Sequence, residues 1–551
     1  MVIFTVFAGR RMLSVSLTLI FLLGCLSVAC LIFFPEQPRP VRIGLNSPCP
    51  ALAEAILSNF AGEVEVVPLS EGAAEQLARG ELDYYLSGQE VQGFEQQTVG
   101  QVVAAVVASC LNPREEITLQ ELENLLAQSP EQVLISEELA LEDFFWFEHS
   151  YLPTKEVIDL VATDDALLGL IPLQRRVPAL QVLAVDRIDP RGPEVLASKY
   201  PLKCRLTVRK RPLTWRERLQ ELVGRGQEDY LLSYLQSSAN AYWDPWHAQA
   251  KFGAAGDVML DRDVKKAGLE KGWEWIFAEA APLLRGMDLA FCNLECPIGS
   301  KGKFINMFQA PPEAIAGITY AGFDVVSLAN NHILDYHHEG MQETMAILAD
   351  NSIAGVGAGR NIHEARKPVI KEVNGITIGF VAYTEMWFVH SREPISWQAT
   401  EEEPGVVPAR LEYVAEDIAA LRDEVDIIVA SFHWGKEYAD EPTTEQKALA
   451  RGAVDAGADL VLGHHPHVLQ GIEFYKQGVI AYSLGNFVFD QRLPKTQESM
   501  VLEFTLSKRG VLDMTIHPAY IQGMQPVILE GNRKAYLYNR IRGLSLDRTE
   551  D

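Results

Sequence analysis

GADLVLGHHPHVLQG, residues 457–471, places three of the chain's twelve histidines within four positions, directly behind a short apolar run. A run such as DLVLG reads as a fully buried strand that stops at a glycine in a turn. The histidines then sit on that turn, where imidazoles can aim their nitrogens at a common centre, as core histidines seldom do. A centre forms only if other segments bring further ligands to the same place.

Upstream, the same pattern recurs. KFGAAGD ends at Asp257, DLAFCNLE at Glu295, and FDVVSLANNH at Asn330, Asn331 and His332. DIIVASFHWGKEY delivers His433 and Glu437, ADLVLGHHPH delivers His464, His465 and His467, and GVIAYSLGN delivers Asn486. In open α/β sheets, ligand sites lie beyond the carboxyl ends of the strands, so these ends are expected to share one rim. Each element alone is ambiguous. A Gly-Asp after a strand is common, an Asn-Asn-His turn can cap a helix, and a lone histidine is more often a hydrogen-bonded structural residue. Their ordered recurrence favours a metal. Carboxylate, amide oxygen and imidazole without thiolate suit Mn, Fe or Zn, as one ion or as two ions bridged by a carboxylate.

The chain has 551 residues, too many for one hydrophobic core. A formal net charge of −26 excludes a partner bound mainly through its phosphates, so no nucleic acid is expected. Arg10 and Arg11 precede an uncharged stretch of 23 residues, 12–34. That is long enough to cross a bilayer core of roughly 30 Å. It predicts one uncleaved transmembrane helix, a cell-membrane location and the bulk of the chain extracytoplasmic. A cleaved signal peptide has a shorter apolar core, about 7–15 residues. FLLGC, ending at Cys25, looks like a lipoprotein box, but apolar residues continue beyond it. The remaining cysteines match no zinc module and read as incidental thiols.

Residues 236–250 read as a linker between two regions. In the first, 41–235, VRIGLNS, VEVVPL, YYLSG and VVAAVVAS read as strands alternating with helical patterns, which implies a parallel α/β sheet. ITLQELENLLAQ carries a threonine cap ahead of an amphipathic helix. With NPREEITLQELENLL and DDALLGLIPL, this order resembles the substrate-binding proteins of bacterial ABC importers, particularly phosphate-type ones. The resemblance implies a two-lobed module for a small anion; a generic α/β domain that positions its neighbour fits equally well.

The second region, 251–530, carries GDVMLDR (256–262), NLECP (293–297), SLANNHILDY (327–336), HWGKEY (433–438), GADLVLGHHPHVLQGIE (457–473) and SLGNFVFD (483–490). This series resembles the motifs of CapA-type poly-γ-glutamate capsule synthesis proteins, within the calcineurin-like metallophosphatase superfamily. The resemblance implies a four-layer α/β/β/α sandwich, followed here by a tail at 531–551. It also implies that Asp257, Glu295, Asn331, His433, His465 and His467 hold metal, with Glu295 bridging and His464 an extra residue. If the site is catalytic, His332, oriented by Asp335, becomes a general acid; Arg262 reads equally as a contact to an anionic substrate or as a surface salt bridge, and Asn330, Glu437 and Asn486 are expected at the substrate. Two positions depart from the superfamily: Met259 replaces a ligand histidine, and Glu295 replaces a shorter aspartate. The implied partners are subunits of a poly-γ-glutamate synthase or exporter. Two other readings stay open: a non-catalytic assembly subunit with a structural metal, and a cell-envelope metallophosphoesterase unrelated to capsule.

Overall fold

The computed structural model describes stretches of residues 41–210, and residues 248–545 except 387 and 390–394. In the first region the strands run in the order Val64–Pro68, Val41–Asn46, Tyr84–Ser87, Lys203–Lys210, Gln96–Ser109, Leu168–Pro172, Val133–Ser136 and Tyr151–Leu152. The sheet is mixed, not parallel as expected. The long strand Gln96–Ser109 pairs antiparallel with both of its neighbours on this path, while Val41–Asn46 pairs parallel on both sides. Apolar patterning shows which face of a strand is buried but not the direction of its partner. The Thr118 hydroxyl accepts from Glu121 N at 3.1 Å and caps the helix Leu119–Gln128, as its sequence predicts.

Two further sheets stack face to face in the second region. One has the order Ala354–Val356, Val325–Ser327, Leu289–Leu294, Ala250–Val258, Glu498–Ser507, Gly510–Gln522, Gln525–Ile528, with Asn486–Val488 also on Ala250–Val258. The other runs Val369–Val373, Ile376–Thr384, Ile427–His433, Leu460–His464, Gly478–Ala481, Ile472–Tyr475. Phe252, Phe291, Phe380, Val429 and Leu462 fill the space between them. Helices Arg262–Lys271, Ile315–Ala321 and His337–Asp350 cover the outer side of the first sheet, and Leu411–Arg422 and Thr444–Ala456 that of the second. Each helix buries one apolar stripe on a sheet face, which places helices outside and sheets inside.

Three parallel strands of the first sheet, Ala250–Val258, Leu289–Leu294 and Val325–Ser327, end on one rim. Ile427–His433 and Leu460–His464, parallel to each other, bring their own ends to it. One close approach holds the rim together. A Cβ at Gly256 would lie 2.0 Å from the Gly485 carbonyl oxygen, backbone that has nowhere to go. Gly256→Ala is expected to cost about 1–3 kcal/mol or more by overpacking. Chemical denaturation checks this; an unchanged midpoint contradicts it.

Burial opposes the charge on Glu503, but the hydrogen bond from His517 and the charges of Lys251 and His517 outweigh it, and its carboxyl is held down at about 2. Its oxygens lie 2.9 Å from His517 Nε2 and 3.1 Å from Lys251 Nζ. A depressed carboxyl contributes stability that is present above the unfolded value of roughly 4.5 and lost as pH falls toward 2. Glu503→Gln should therefore cost about 1–2 kcal/mol near pH 6, and the deficit should shrink between pH 4.5 and 2. Paired urea titrations across that window test the sign.

Two expectations change. Residues 531–545 are not a tail but the helix Gly531–Ser545, whose Leu537, Tyr538 and Ile541 enter the core between the sheets. The single-pass membrane location is also overturned: among the described residues no helix is long and apolar enough to cross a membrane. The stretch 12–34 on which it rested lies outside the described residues.

Candidate metal centre

Asp257 is the penultimate residue of Ala250–Val258 and is fully buried. Glu295 follows the last residue of Leu289–Leu294 and is also fully buried. Strand alternation puts Asn293 and Glu295 toward the site, and Cys292, Leu294 and Cys296 into the opposite core. Asn293 escaped the sequence reading although it lies inside NLECP. Its Nδ2 donates to Asp257 Oδ1 at 2.9 Å and lies 3.2 Å from His433 Nδ1, so one amide orients two ligand candidates. Period-two alternation from Glu295 was the signal that could have found it.

His433 closes the strand Ile427–His433 and His464 closes Leu460–His464. The turn that follows carries His465 at φ 94° and His467 at φ 58°, left-handed backbone that side chains other than glycine adopt at a cost. That geometry turns both imidazoles inward. His433 Nε2 lies 2.7 Å from Asn331 Oδ1, 3.1 Å from His465 Nδ1 and 3.7 Å from Glu295 Oε1. His467 Nε2 is 3.7 Å from Glu295 Oε1, and its Nδ1 is 3.4 Å from Asp257 Oδ2. Two overlapping groups follow, Asp257 with Glu295 and His433, and Glu295 with His465 and His467, each with one atom per residue inside 4.8 Å. Glu295 belongs to both.

The residues fit a cation. Both Glu295 oxygens are buried without a hydrogen-bond partner, an arrangement that costs several kcal/mol unless a positive charge sits beside them. Burial, and then the charge of Asp257, push its carboxyl well above the usual range. Burial also opposes ionisation of Asp257, but the neighbouring His464 and His467 hold its carboxyl well below the usual range. Burial and the neighbouring His465 keep His433 far below an ordinary imidazole, and burial with His467 lowers His465 to about 3. Both are therefore neutral at pH 7, the form that donates a lone pair. His464 Nδ1 rests 3.2 Å from Asp257 Oδ1, close enough for attraction, though neither of its ring nitrogens makes a well-aligned hydrogen bond. Met259 points into the apolar core, so this position offers no ligand.

Beside this cluster, His332 Nδ1 meets Asp335 Oδ2 at 2.8 Å. The same oxygen accepts Phe308 N at 2.7 Å and Met307 N at 3.1 Å, which fixes the carboxylate and through it the imidazole. Asn330, expected at the substrate, is buried with its amide spent internally. Its Nδ2 donates to Asn293 Oδ1 and Leu294 O, and its Oδ1 accepts His332 N and Ile333 N. It shapes the turn that presents His332. Asn486 opens a strand and does not follow one. It is buried, its Oδ1 lies 2.8 Å from His467 Nδ1, and its Nδ2 donates to Gln491 Oε1 and Thr496 O. Both therefore position imidazoles and have no free group for a substrate. Glu437 is exposed on the loop after His433. Arg262, partly exposed, pairs with Asp490.

Residues 251–491 match the family described as "Bacterial capsule synthesis protein PGA_cap". The chain is 34% identical over 283 residues to "Capsule biosynthesis protein CapA" of Bacillus anthracis, spanning 49% of this chain and 67% of that protein. It is 35% identical over 277 residues to "PGA biosynthesis protein CapA" of Bacillus subtilis (strain 168), spanning 49% of this chain and 71% of that protein. Among solved structures, an ABC-type phosphate transport receptor from Vibrio cholerae is similar at 12% identity, over 36% of this chain and 98% of that one. Its TM-score of 0.29 is too low to assign a fold.

Proposed function

The chain belongs to the bacterial capsule synthesis protein family, and from that premise we propose that it serves poly-γ-glutamate capsule synthesis or export as a metal-dependent hydrolase of the phosphoesterase type. The observation that carries the reading is Glu295, a buried carboxylate shared by two groups of candidate ligands and otherwise unsatisfied. One or two divalent ions (Mn, Fe or Zn), when bound there, supply a Lewis acid for a phosphoryl or carbonyl oxygen and lower the pKa of a bound water.

The chain's own residues supply the rest. Asp257, Glu295, Asn331, His433, His465 and His467 form the donor set, and Asn293 and Asn486 hold its members in register. His332 carries the proton for the leaving group on Nε2, because Asp335 occupies Nδ1. Arg262 and Glu437 flank the opening. The substrate is a phosphoester or an amide of the polymer, and the partners are subunits of its synthase or exporter. The two-lobed reading of the first region, with a small anion as its ligand, is part of the same proposal, as are the boundaries 41–235, 236–250 and 251–530.

Turnover of an aryl phosphate and of a γ-glutamyl arylamide by the purified full chain, with Mn added, tests the reaction class. Chelator-sensitive turnover of either supports it. Bound metal without turnover of either favours an assembly subunit with a structural metal. The loss of a ligand position to Met259 is the observation that keeps this second reading alive.

A further inference from the structure

A chain with a formal net charge of −26 repels an anionic polymer unless some cation at the cleft is reserved for it. Arg262 occupies that place. Its guanidinium lies 4.8 Å from the Phe308 ring centroid and 5.5 Å from that of Phe489. Those two rings form a shelf between the imidazoles of the site, Phe308 at 4.4 Å from His332 and Phe489 at 4.9 Å from His467. The cation is thus carried on an aromatic surface that adjoins both the proton donor and the metal ligands.

Its partner is internal. Asp490 accepts from Arg262 Nη2 and, at 3.3 Å, from the backbone N of Asp263 in the first turn of helix Arg262–Lys271. The two side chains differ in exposure, 40% for Arg262 against 9% for Asp490. The carboxylate is therefore fixed in the wall while the cation faces the solvent. Arg262 itself starts the helix at φ 52°, a conformation that L side chains seldom adopt and that throws its side chain back over the shelf. If the guanidinium swung toward an incoming oxyanion, Asp490 would keep the Asp263 amide and the helix dipole as partners. Nearby, Lys266 and Arg492 share a single acid, Asp263, which offsets one of their two charges.

We propose that Asp490 is an intramolecular stand-in for the substrate's anionic group: it holds Arg262 over the Phe308–Phe489 shelf, and an oxyanion of the substrate displaces it. The ligand chemistry is a planar or tetrahedral oxyanion on an alkyl stem, a carboxylate or a phosphoryl group. The oxygens take the guanidinium fork, while the buried rings of Phe308 and Phe489 support Arg262 from below. The proposal rests on the assignment of the cleft as a substrate site, and its test reads binding without turnover.

The experiment is calorimetric titration of the purified full chain with inorganic phosphate in one arm and a γ-glutamyl dipeptide in the other. Wild type is compared with Asp490→Asn, Arg262→Ala and Arg262→Lys, with bound metal measured in each as a check on folding. Asp490→Asn keeps a carbonyl for the Asp263 amide but gives up the charge. It is expected to tighten the recognised anion about threefold to tenfold. Arg262→Ala should weaken it about tenfold or more, and Arg262→Lys should fall between wild type and alanine. The arm that responds identifies a carboxylate or a phosphoryl source. Weaker binding in Asp490→Asn makes Asp490 a support for Arg262 rather than its competitor and overturns the proposal, as does binding indifferent to every variant. Failure of Asp490→Asn to hold metal shifts the test to the two Arg262 variants, where equal affinity for alanine and lysine overturns it. A chain that never turns over a substrate can pass this test, and an active hydrolase can fail it.

Discussion

Glu295→Gln is expected to lower metal affinity by about 100-fold or more, and to move the stability of the two forms of the protein in opposite directions. The glutamate sits in both candidate ligand groups, so its loss removes a charged donor from each position at once. Losing even an outer partner of a ligand typically costs 10–100-fold in affinity, and a shared carboxylate should cost at least as much. In the metal-free protein the change has the other sign. Glu295 is then buried beside Asp257, its carboxyl pushed toward the protonated form, and both of its oxygens go without a hydrogen bond. An amide of the same shape needs neither the charge nor the proton and should stabilise that form by about 1–3 kcal/mol. Metal analysis of the purified variant and melting curves with and without chelator read the two effects separately. Full metal content in Glu295→Gln, together with unchanged melting in both conditions, would mean that this carboxylate holds no ion. Asp257→Asn is a weaker probe, because Asn293 and His464 already share its charge.

Much of this arrangement can be read from the chain, for one physical reason. A strand buried on both faces is a continuous apolar run, and where it stops the next side chains must be polar or solvated. Asp257, Glu295, Asn331, His433, His465 and His467 all stand at such stops, and the fold brings the stops to one rim because their strands are parallel within each sheet. The residues that hold the ligands in place are harder to see. Asn293 lies inside a strand and looks like an interruption. Asn330 and Asn486 look like free polar groups, yet every hydrogen-bonding atom of their amides is engaged. Phe308 and Phe489 look like ordinary core, and only the folded chain shows that their rings lie against His332 and His467. The mixed first sheet and the helix Gly531–Ser545 were missed because both depend on partners far away in sequence, which local periodicity does not encode.

His332→Ala should leave the metal content unchanged and slow hydrolysis by about 10²–10⁴-fold, the usual worth of a positioned proton donor. The side chain is nearly buried, 7% exposed, and is held by Asp335 Oδ2 on one nitrogen, with the Phe308 ring packed against it. Its remaining nitrogen is the one free to face a leaving group. A donor that protonates the departing oxygen matters most when that oxygen is a poor leaving group. The loss should therefore be large for an alkyl phosphate and much smaller for a nitrophenyl ester, whose oxygen departs without help. A residue that merely packed the cleft would slow both substrates alike. Asp335→Asn should show the same leaving-group dependence at a smaller amplitude, since it removes only the group that orients the imidazole while Met307 N and Phe308 N lose a charged acceptor. Equal losses for the two esters would strip His332 of the proton-donor role while leaving the metal centre untouched. Metal retained with no turnover of either ester, in the wild-type chain as well as the variant, would make the ion a structural part of an assembly subunit.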